Sequence, residues 1–346
     1  MNARYRRVAF LAAAIVPLGL ACLAAPAGGE KYAAEFLRIG VGARALGMGG
    51  AFTAVADDAS AAYWNPAGLG RMGESEILFM HAEQFGSLAT HDFFGYVQPL
   101  WHAGGSPRSS VGIAAVRFGV DDIPITRDGW IDADRDGRAD PDEIDPSLFR
   151  KGSDDEWGVL FSYALAMGGR WSAGGNLKVV RQGLLQNTSF GMGVDLGLLC
   201  AARRDLTLGL RLSDITTTQV SWDTGTREVV NPSVTLGSRW TGQVPGIGGE
   251  LTAALDMPVT FDGRATASQF SLRDPGIDKT GPGIGFDLLA GFEYWLARVA
   301  ALRVGSSAGE WTAGAGVRYR GMGGDYAFLP HDDLGDTHRV SASVRF

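Results

Sequence analysis

Alternation of apolar and polar residues with a period of two is the feature that most constrains the fold of this chain. In residues 206–213, leucine occupies every second position, and Thr, Gly, Arg and Ser stand between the leucines. The same alternation recurs in residues 157–165, 251–257, 286–294, 311–319 and 340–346. Successive side chains of a strand point to opposite faces, so this period predicts strands with one apolar face and an all-β protein.

The alternation does not by itself decide where the apolar face points. A soluble barrel or sandwich buries this face, whereas a transmembrane barrel turns it towards lipid. The residues opposite the apolar face suit a wet lumen as well as an outer surface: Asn176, Lys178, Asp195, Arg211, Asp287, Glu293 and Arg318. Aromatic residues near the strand ends are typical of the girdles at a membrane interface: Trp157, Trp171, Trp240, Trp311 and Tyr319.

The number of strands and the lengths of their connections favour a membrane barrel. Fourteen strands are predicted, near 75–84, 92–101, 110–119, 156–166, 171–183, 190–201, 206–213, 232–241, 248–257, 286–294, 299–305, 310–320, 323–329 and 337–346. The long gaps, 120–155, 214–231 and 258–285, all follow odd-numbered strands. Loops sorted to one side predict a 14-stranded antiparallel transmembrane β-barrel with both termini in the periplasm.

The first residues have the form of an export signal. Arg4, Arg6 and Arg7 precede an apolar run, and the small residues at 25–27 suit a cleavage site. Residues 1–27 are therefore predicted to be a signal peptide, and the outer membrane of a diderm bacterium is the expected location. The formal net charge of -7 argues against nucleic acid as a partner.

The segment before the first strand differs from the rest of the chain. Residues 31–72 are rich in Gly and Ala and lack strict alternation. A barrel of fourteen strands is too wide for the side chains of its wall to fill, and small residues let a backbone pack closely inside a lumen. We predict an N-terminal plug, or hatch, at 28–74 and the transmembrane barrel at 75–346, with the 120–155 gap as a long external loop. A soluble N-terminal arm is the alternative for the plug.

Several motifs near both ends of the chain resemble one known family. These motifs are FLRIGVGARALGMGGAF at 36–52, ADDASA at 56–61, WNPAGL at 64–69, DYAF at 325–328 and DLGDTHR at 333–339. Together they resemble the PorV/PorQ family of outer-membrane proteins, which is related to the FadL-type channels for hydrophobic compounds. The resemblance brackets the whole of the predicted mature chain.

The resemblance implies a FadL-like barrel and assigns roles to a few residues. Asn65, Pro66 and Ala67 fall on the FadL-type hatch motif, next to a lateral opening in the wall. Phe346 ends an alternating strand, as in the assembly signal of outer-membrane barrels, so the barrel-assembly machinery and outer-membrane lipid are expected partners.

Two functions follow from the resemblance, and no motif separates them. PorV-like proteins serve type IX secretion and bind exported proteins, and the first hypothesis is such an export or surface-attachment factor with cargo at its external loops. FadL-like channels take up hydrophobic small molecules, and this is the alternative. No nucleophile with a credible base stands out, so we do not expect an enzyme.

The long gap between the third and fourth predicted strands carries a calcium-type motif. Acidic residues occupy positions 1, 3, 5, 9 and 12 of a twelve-residue loop: Asp132, Asp134, Asp136, Asp140 and Glu143. Gly137 permits the sharp turn at position 6, and the carbonyl of Arg138 can fill position 7. Flanking helices are not evident, so we predict a free calcium loop; a solvated acidic loop is the alternative.

Calcium is expected to order residues 120–155. Bound Ca²⁺ would hold the acidic side chains in one geometry, so limited proteolysis of this region should slow in calcium and recover in chelator. A Glu143→Gln variant should lose this protection, because it removes the bidentate ligand. Equal protease sensitivity with and without chelator would argue for the solvated loop.

Overall fold

The strands of the chain form one antiparallel sheet. The computed structural model describes residues 33–101, 107–126, 129–131, 144–244, 248–261, 270–271, 285–330 and 335–346. The strands in these ranges are β1 (Glu76–Gln84), β2 (Ala89–Trp101), β3 (Pro107–Ile125), β4 (Arg150–Ala166), β5 (Trp171–Leu184), β6 (Asn187–Ala201), β7 (Leu206–Ser213), β8 (Thr218–Trp222), β9 (Arg227–Val230), β10 (Ser233–Val244), β11 (Gly249–Thr260), β12 (Phe270–Ser271), β13 (Gly285–Phe286), β14 (Leu289–Leu296), β15 (Ala300–Ser307), β16 (Glu310–Tyr319), β17 (Met322–Leu329) and β18 (Thr337–Arg345).

The sheet closes on itself because the first and last strands pair. Glu76 of β1 faces Arg345 of β18, and the backbones of Ser75 and Phe346 exchange hydrogen bonds of 3.1 and 3.0 Å. Fourteen strands make the wall: β1–β7, β10, β11 and β14–β18. The other four are short. β8 and β9 pair with each other beyond the ends of β7 and β10, and β12 and β13 pair beside β11. The prediction of a 14-stranded antiparallel barrel is confirmed.

The apolar face of the wall points outward. Phe79 is 48% exposed, whereas its neighbour Met80 is fully buried. The same contrast separates Phe161, at 48%, from Leu160, at 2%. An apolar belt on a closed barrel would cost about 25 cal/mol per Å² in water, and lipid removes this cost. The outward apolar face therefore identifies the barrel as a transmembrane one.

The polar face of the wall lines the interior. Asn176, Lys178, Asp195 and Glu293, which were assigned to this face from sequence, are all buried. The predicted girdle residues Trp157, Trp171, Trp240, Trp311 and Tyr319 are exposed, at 37–60%.

The long connections lie at one end of the barrel, which we call the loop end; Ser75 and Phe346 lie at the other. The boundaries of the loops differ from those predicted. β3 continues to Ile125 and β4 begins at Arg150, so the first long connection is 126–149 rather than 120–155. Charged residues at 121–122 and 150–156 interrupt the apolar alternation, so the sequence does not show that these two strands continue. In the structure, backbone pairing between β3 and β4 extends both strands, with a bulge after Val120.

Helices are short and lie mostly before the wall. They are α1 (Ala43–Gly47), α2 (Ala61–Trp64) and the 3-10 helices Glu35–Arg38, Pro66–Arg71 and Pro146–Leu148. Among the residues that the structure describes, no helix is long and apolar enough to cross a membrane.

The orientation of the wall can be tested on neighbouring residues of β10. Leu236 is 47% exposed on the outer face, and Thr235 points inward because side chains alternate along a strand. In a Cys200→Ser background, a fluorophore on Leu236→Cys should be quenched by brominated lipid and one on Thr235→Cys by aqueous iodide. The reverse pattern would contradict the outward apolar face.

Candidate functional site

Residues 33–72 lie inside the ring of strands, and we call them the inner segment. Helix α1 contacts β15–β18, and the 3-10 helix Pro66–Arg71 contacts β2–β6 on another side of the wall. Phe52 and Leu69 are fully buried. The inner segment therefore packs against the inner face of the wall; the plug at 28–74 stays a prediction, and its residues 28–32 lie outside the described chain.

Glycine lets the inner segment touch the wall backbone. A Cβ on Gly49, whose φ is +65°, would lie 2.6 Å from the backbone nitrogen of Ser306 in β15. A Cβ on Gly174 of β5 would lie 2.5 Å from the carbonyl carbon of Pro66. Real side chains do not fit at such distances, so the Gly content of both segments has a packing reason.

Arg44 of α1 joins the inner segment to the wall. Its Nε and Nη2 donate to the two carboxylate oxygens of Glu293 in β14, each at 2.8 Å. Its Nη1 contacts Asp57 at 2.5 Å and Asp58 at 3.3 Å within the inner segment. Burial alone would lower the pKa of Arg44, but Asp57 and Glu293 raise it well above its usual value. The guanidinium therefore stays charged and bidentate.

The carboxylate of Glu293 also belongs to a chain of ion pairs along the wall. Arg303 of β15 donates to Glu293 at 2.7 Å and lies 2.9 Å from Asp325 of β17. Arg318 of β16 reaches the same Asp325 at 2.8 Å. Buried charges are costly unless paired, and this network supplies the partners inside the lumen.

The hatch motif lies against β5 and β6. The side chain of Asn65 donates to the carbonyl of Thr53 at 2.8 Å and accepts from the backbone N–H of Ala67 at 3.1 Å. Its amide oxygen lies directly over Gly197 of β6. The β5–β6 ladder runs without interruption past this point, whereas on the other side of β6 the pairing with β7 ends at Leu196, next to Gly197. Asn65 holds two parts of the inner segment together.

Regular backbone pairing in the wall is interrupted close to this point, at residues 214–217 between β7 and β8. β6 pairs with β7 on one side of this bend and with β8 on the other. The bend faces residues 193–195 of β6. The backbone N–H of Ile215 donates a hydrogen bond of 3.0 Å to the carbonyl of Val194. Phe190 of β6, at 54% exposure, lies nearby on the outer face. The bend is therefore within the apolar belt of the wall.

A buried charge cluster holds the inner side of this bend. The Nζ of Lys178 lies 2.6 Å from Asp214 and 3.0 Å from Asp195. Asp195 also accepts from the backbone N–H of Asp214 at 2.9 Å, and Thr218 donates to Asp214 at 2.6 Å. One ammonium is shared by two carboxylates, and the guanidinium of Arg211 acts on Asp195 as a second positive charge.

The same residues border a cavity of about 440 Å³ between the inner segment and the loop end. Its apolar side includes Leu37, Ile39, Leu46 and Trp64 of the inner segment. Its polar side comes from the wall and includes Lys178, Arg211, Asp214, Thr235 and Asp256. A site of this size suits a small molecule, since such sites measure about 300–1,000 Å³.

Other residues singled out in the sequence contribute less to this site. The predicted calcium ligands Asp132, Asp134, Asp136, Arg138, Asp140 and Glu143 lie outside the described residues. Phe346 is 65% exposed and closes the barrel through its backbone, far from the cavity along the strands. The sequence analysis missed Arg44 as a wall contact, although an Arg in a Gly/Ala-rich plug was a usable signal.

Comparisons with known proteins give a family model and a set of solved structures. Residues 24–110 match an uncharacterised protein family, UPF0164. No curated protein sequence matches the chain. The toluene transporter TbuX of Ralstonia pickettii is 14% identical, with 89% of this chain and 98% of TbuX covered and a TM-score of 0.53. The toluene transporter TodX of Pseudomonas putida is 12% identical, with 89% and 99% covered and a TM-score of 0.54.

The monoaromatic hydrocarbon channel CymD also has this fold, at 14% identity, coverage of 89% and 97%, and a TM-score of 0.53. The structural neighbours are FadL-family hydrocarbon transporters. At such identities the likeness shows that the chain has a FadL-like barrel fold. The finer resemblance to PorV/PorQ is not confirmed.

Removing Arg44 should loosen the inner segment. Arg44→Ala leaves the buried carboxylate of Asp58 without its cation and Glu293 with Arg303 alone, and breaking a buried pair on one side costs about 3–5 kcal/mol. We expect this loss in the free energy of unfolding, measured in denaturant by tryptophan fluorescence, together with faster proteolysis of residues 33–72.

Lys151→Ala is the matched control, because Lys151 pairs with Asp122 at an exposed site where both side chains are 71% exposed. Exposed pairs contribute about 0–1 kcal/mol. If Arg44→Ala and Lys151→Ala unfold alike, Arg44 does not anchor the inner segment.

Proposed function

We propose that the protein is an outer-membrane channel for the uptake of hydrophobic small molecules. The observation that carries this proposal is the cavity between the inner segment and the loop end of a lipid-facing barrel. The FadL-like fold of hydrocarbon transporters supports it. In this role, the cavity receives a molecule at the loop end, and the inner segment blocks free passage of water-soluble solutes.

The bend at residues 214–217 is the proposed exit. Three residues of this region border the cavity. Asp214 and Thr218 lie at the two ends of the bend, and Asn231 lies in the connection between β9 and β10. A hydrophobic molecule gains about 0.8 kcal/mol per CH₂ on leaving water for lipid, so a short path through the wall is downhill. The β5–β6 side of Asn65 offers no such path, because its ladder is continuous.

The remaining predictions fit this proposal. The loop end faces the exterior and both chain termini face the periplasm, so that the cavity opens towards the supply of substrate. Phe346 directs insertion by the barrel-assembly machinery, and the 132–143 loop binds Ca²⁺ outside the cell. We propose no enzymatic activity.

A PorV/PorQ-like role in protein export is the second candidate. The motifs at 36–52, 64–69 and 333–339 favour it, because they resemble that family. In this role, exported proteins bind at the external loops. Co-purification distinguishes the two: tagged protein that brings down exported proteins favours export, and tagged protein that brings down only lipid-like molecules favours uptake.

Filling the cavity should block uptake. Thr235 lines the cavity from β10, so Thr235→Trp inserts an indole into the space that the substrate needs. We expect uptake of a hydrophobic probe into vesicles carrying the protein to fall at least about tenfold, the factor that corresponds to 1.4 kcal/mol.

Leu236→Trp is the matched control, because Leu236 is the next residue of the same strand and faces lipid. Its uptake should equal that of the unaltered protein. Normal uptake by a correctly inserted Thr235→Trp variant would show that the substrate does not pass through the cavity.

A further inference from the structure

Arginine recurs in the short turns at the end of the barrel opposite the loop end, which we call the turn end. Arg170 lies between β4 and β5, Arg203 and Arg204 lie between β6 and β7, Arg298 lies between β14 and β15, and Arg320 lies between β16 and β17. All five are exposed. These turns are spread around the ring of strands. The five residues therefore form a discontinuous basic ring, which we call the arginine rim.

Ion pairs do not neutralise the guanidinium groups of the arginine rim. Within the described part of the chain, no carboxylate pairs with any of the five. Arg320 lies 5.1 Å from the ring centre of Tyr319, and the carbonyl of Arg170 accepts from Nη2 of Arg71 at 3.3 Å. The turn end also has acidic groups outside ion-pair distance of the rim: Glu74, Asp205, Glu250 and the carboxylate of Phe346. The rim can therefore offer its donors to an anion from outside the protein.

The lipid-facing belt of the wall reaches up to the rim. Exposed apolar and aromatic residues flank three of the arginines and are 40–60% exposed: Leu165 and Trp171, Leu296 and Val299, Tyr319 and Met322. Arg170, Arg298 and Arg320 each stand one position from such a residue, which is about 3 Å of extended chain. The head-group layer on each side of the hydrocarbon core is about 5–7 Å deep. These arginines therefore lie at the level of the lipid head groups.

The outer face of β5 gives the distance between the two surfaces of the membrane. This face begins at Trp171 and has no charged residue until Arg181, ten residues later. Ten residues of strand span about 33 Å, and a tilt of about 40° reduces this to about 25 Å across the bilayer. An apolar band of about 25 Å is usual for outer-membrane barrels. Trp171 therefore marks one surface of the membrane, and Arg170 lies just beyond it.

We propose that the arginine rim binds the head groups of anionic phospholipids in the leaflet at the turn end. The planar guanidinium group matches a phosphate with two parallel hydrogen bonds. An anionic lipid neutralises an unpaired guanidinium, whereas a zwitterionic lipid carries its own cation. The proposal is independent of the proposed function, because an uptake channel and an export factor would lie in the same lipid.

Solvation by water is the alternative for these side chains, since exposed charges contribute little by themselves. The two alternatives differ in their effect on the surrounding lipid. Solvated arginines leave the composition of the neighbouring lipid unchanged. A binding rim enriches anionic lipid at the turn end relative to the rest of the bilayer.

The test measures this enrichment with a fluorophore at the turn end. In a Cys200→Ser background, a fluorophore on Met322→Cys lies two positions from Arg320. Its quenching is compared in vesicles of phosphatidylcholine that contain brominated phosphatidylglycerol or brominated phosphatidylcholine. We expect phosphatidylglycerol to be favoured by about fivefold or more, the factor that corresponds to one arginine near an anionic surface. Equal quenching by the two lipids would overturn the proposal.

A triple variant of the rim shows which residues cause the preference. Arg170→Gln, Arg298→Gln and Arg320→Gln together remove three positive charges from the turn end and keep side chains that donate hydrogen bonds. The preference for phosphatidylglycerol should fall to about twofold or less. A preference that survives in this variant would contradict the assignment to the rim.

The matched control carries Arg150→Gln, Lys151→Gln and Arg227→Gln, three exposed residues of the loop end. It removes the same charge from the protein and should keep the preference at Met322→Cys, so its loss in this control would also overturn the proposal. Salt gives a check that needs no variant. In about 1 M NaCl the Debye length falls to about 3 Å, so the preference of the parent protein should largely disappear, and a preference that persists there is not ionic.

Discussion

Closure of the backbone hydrogen-bond ladder is the constraint on which the rest of this structure depends. In lipid, an unpaired N–H or C=O costs several kcal/mol, so a strand can cross only as part of a ring without edges. The pairing of β1 with β18, completed by Ser75 and Phe346, removes the two edges. Once the ring is closed, the period of two turns one face of every strand to lipid and the other to the lumen.

Closure of the sheet leaves an interior space, and the inner segment fills part of it. Fourteen strands enclose a space lined by charged side chains, and these charges are stable there because they pair with each other and with the inner segment. Arg44 is central, because it binds Glu293 of the wall and Asp57 and Asp58 of its own segment. Glycines on both sides bring the two backbones into contact, so packing and ion pairing act on the same surfaces.

The inner segment does not fill the lumen completely, and the remaining cavity links the fold to function. The inner segment and the wall both line it, so a change in either component would alter the cavity. The bend at 214–217 lies against the same cavity and is held by Lys178. The proposed uptake and exit therefore depend on one part of the barrel, where the inner segment, the cavity and the interrupted ladder meet.

The amino-acid sequence by itself determined the strands, their number and the lipid-facing side, because alternation and aromatic girdles are local patterns repeated in every strand. Trp157 was assigned to the aromatic girdle in this way, and it is exposed in the structure. Only the tertiary structure decided that Arg44 reaches Glu293, that Asn65 lies over Gly197 next to the end of the β6–β7 ladder, and that Asp195 and Asp214 share Lys178. These contacts join residues on separate strands, and their meeting depends on register and on the path of the inner segment, which no local pattern encodes.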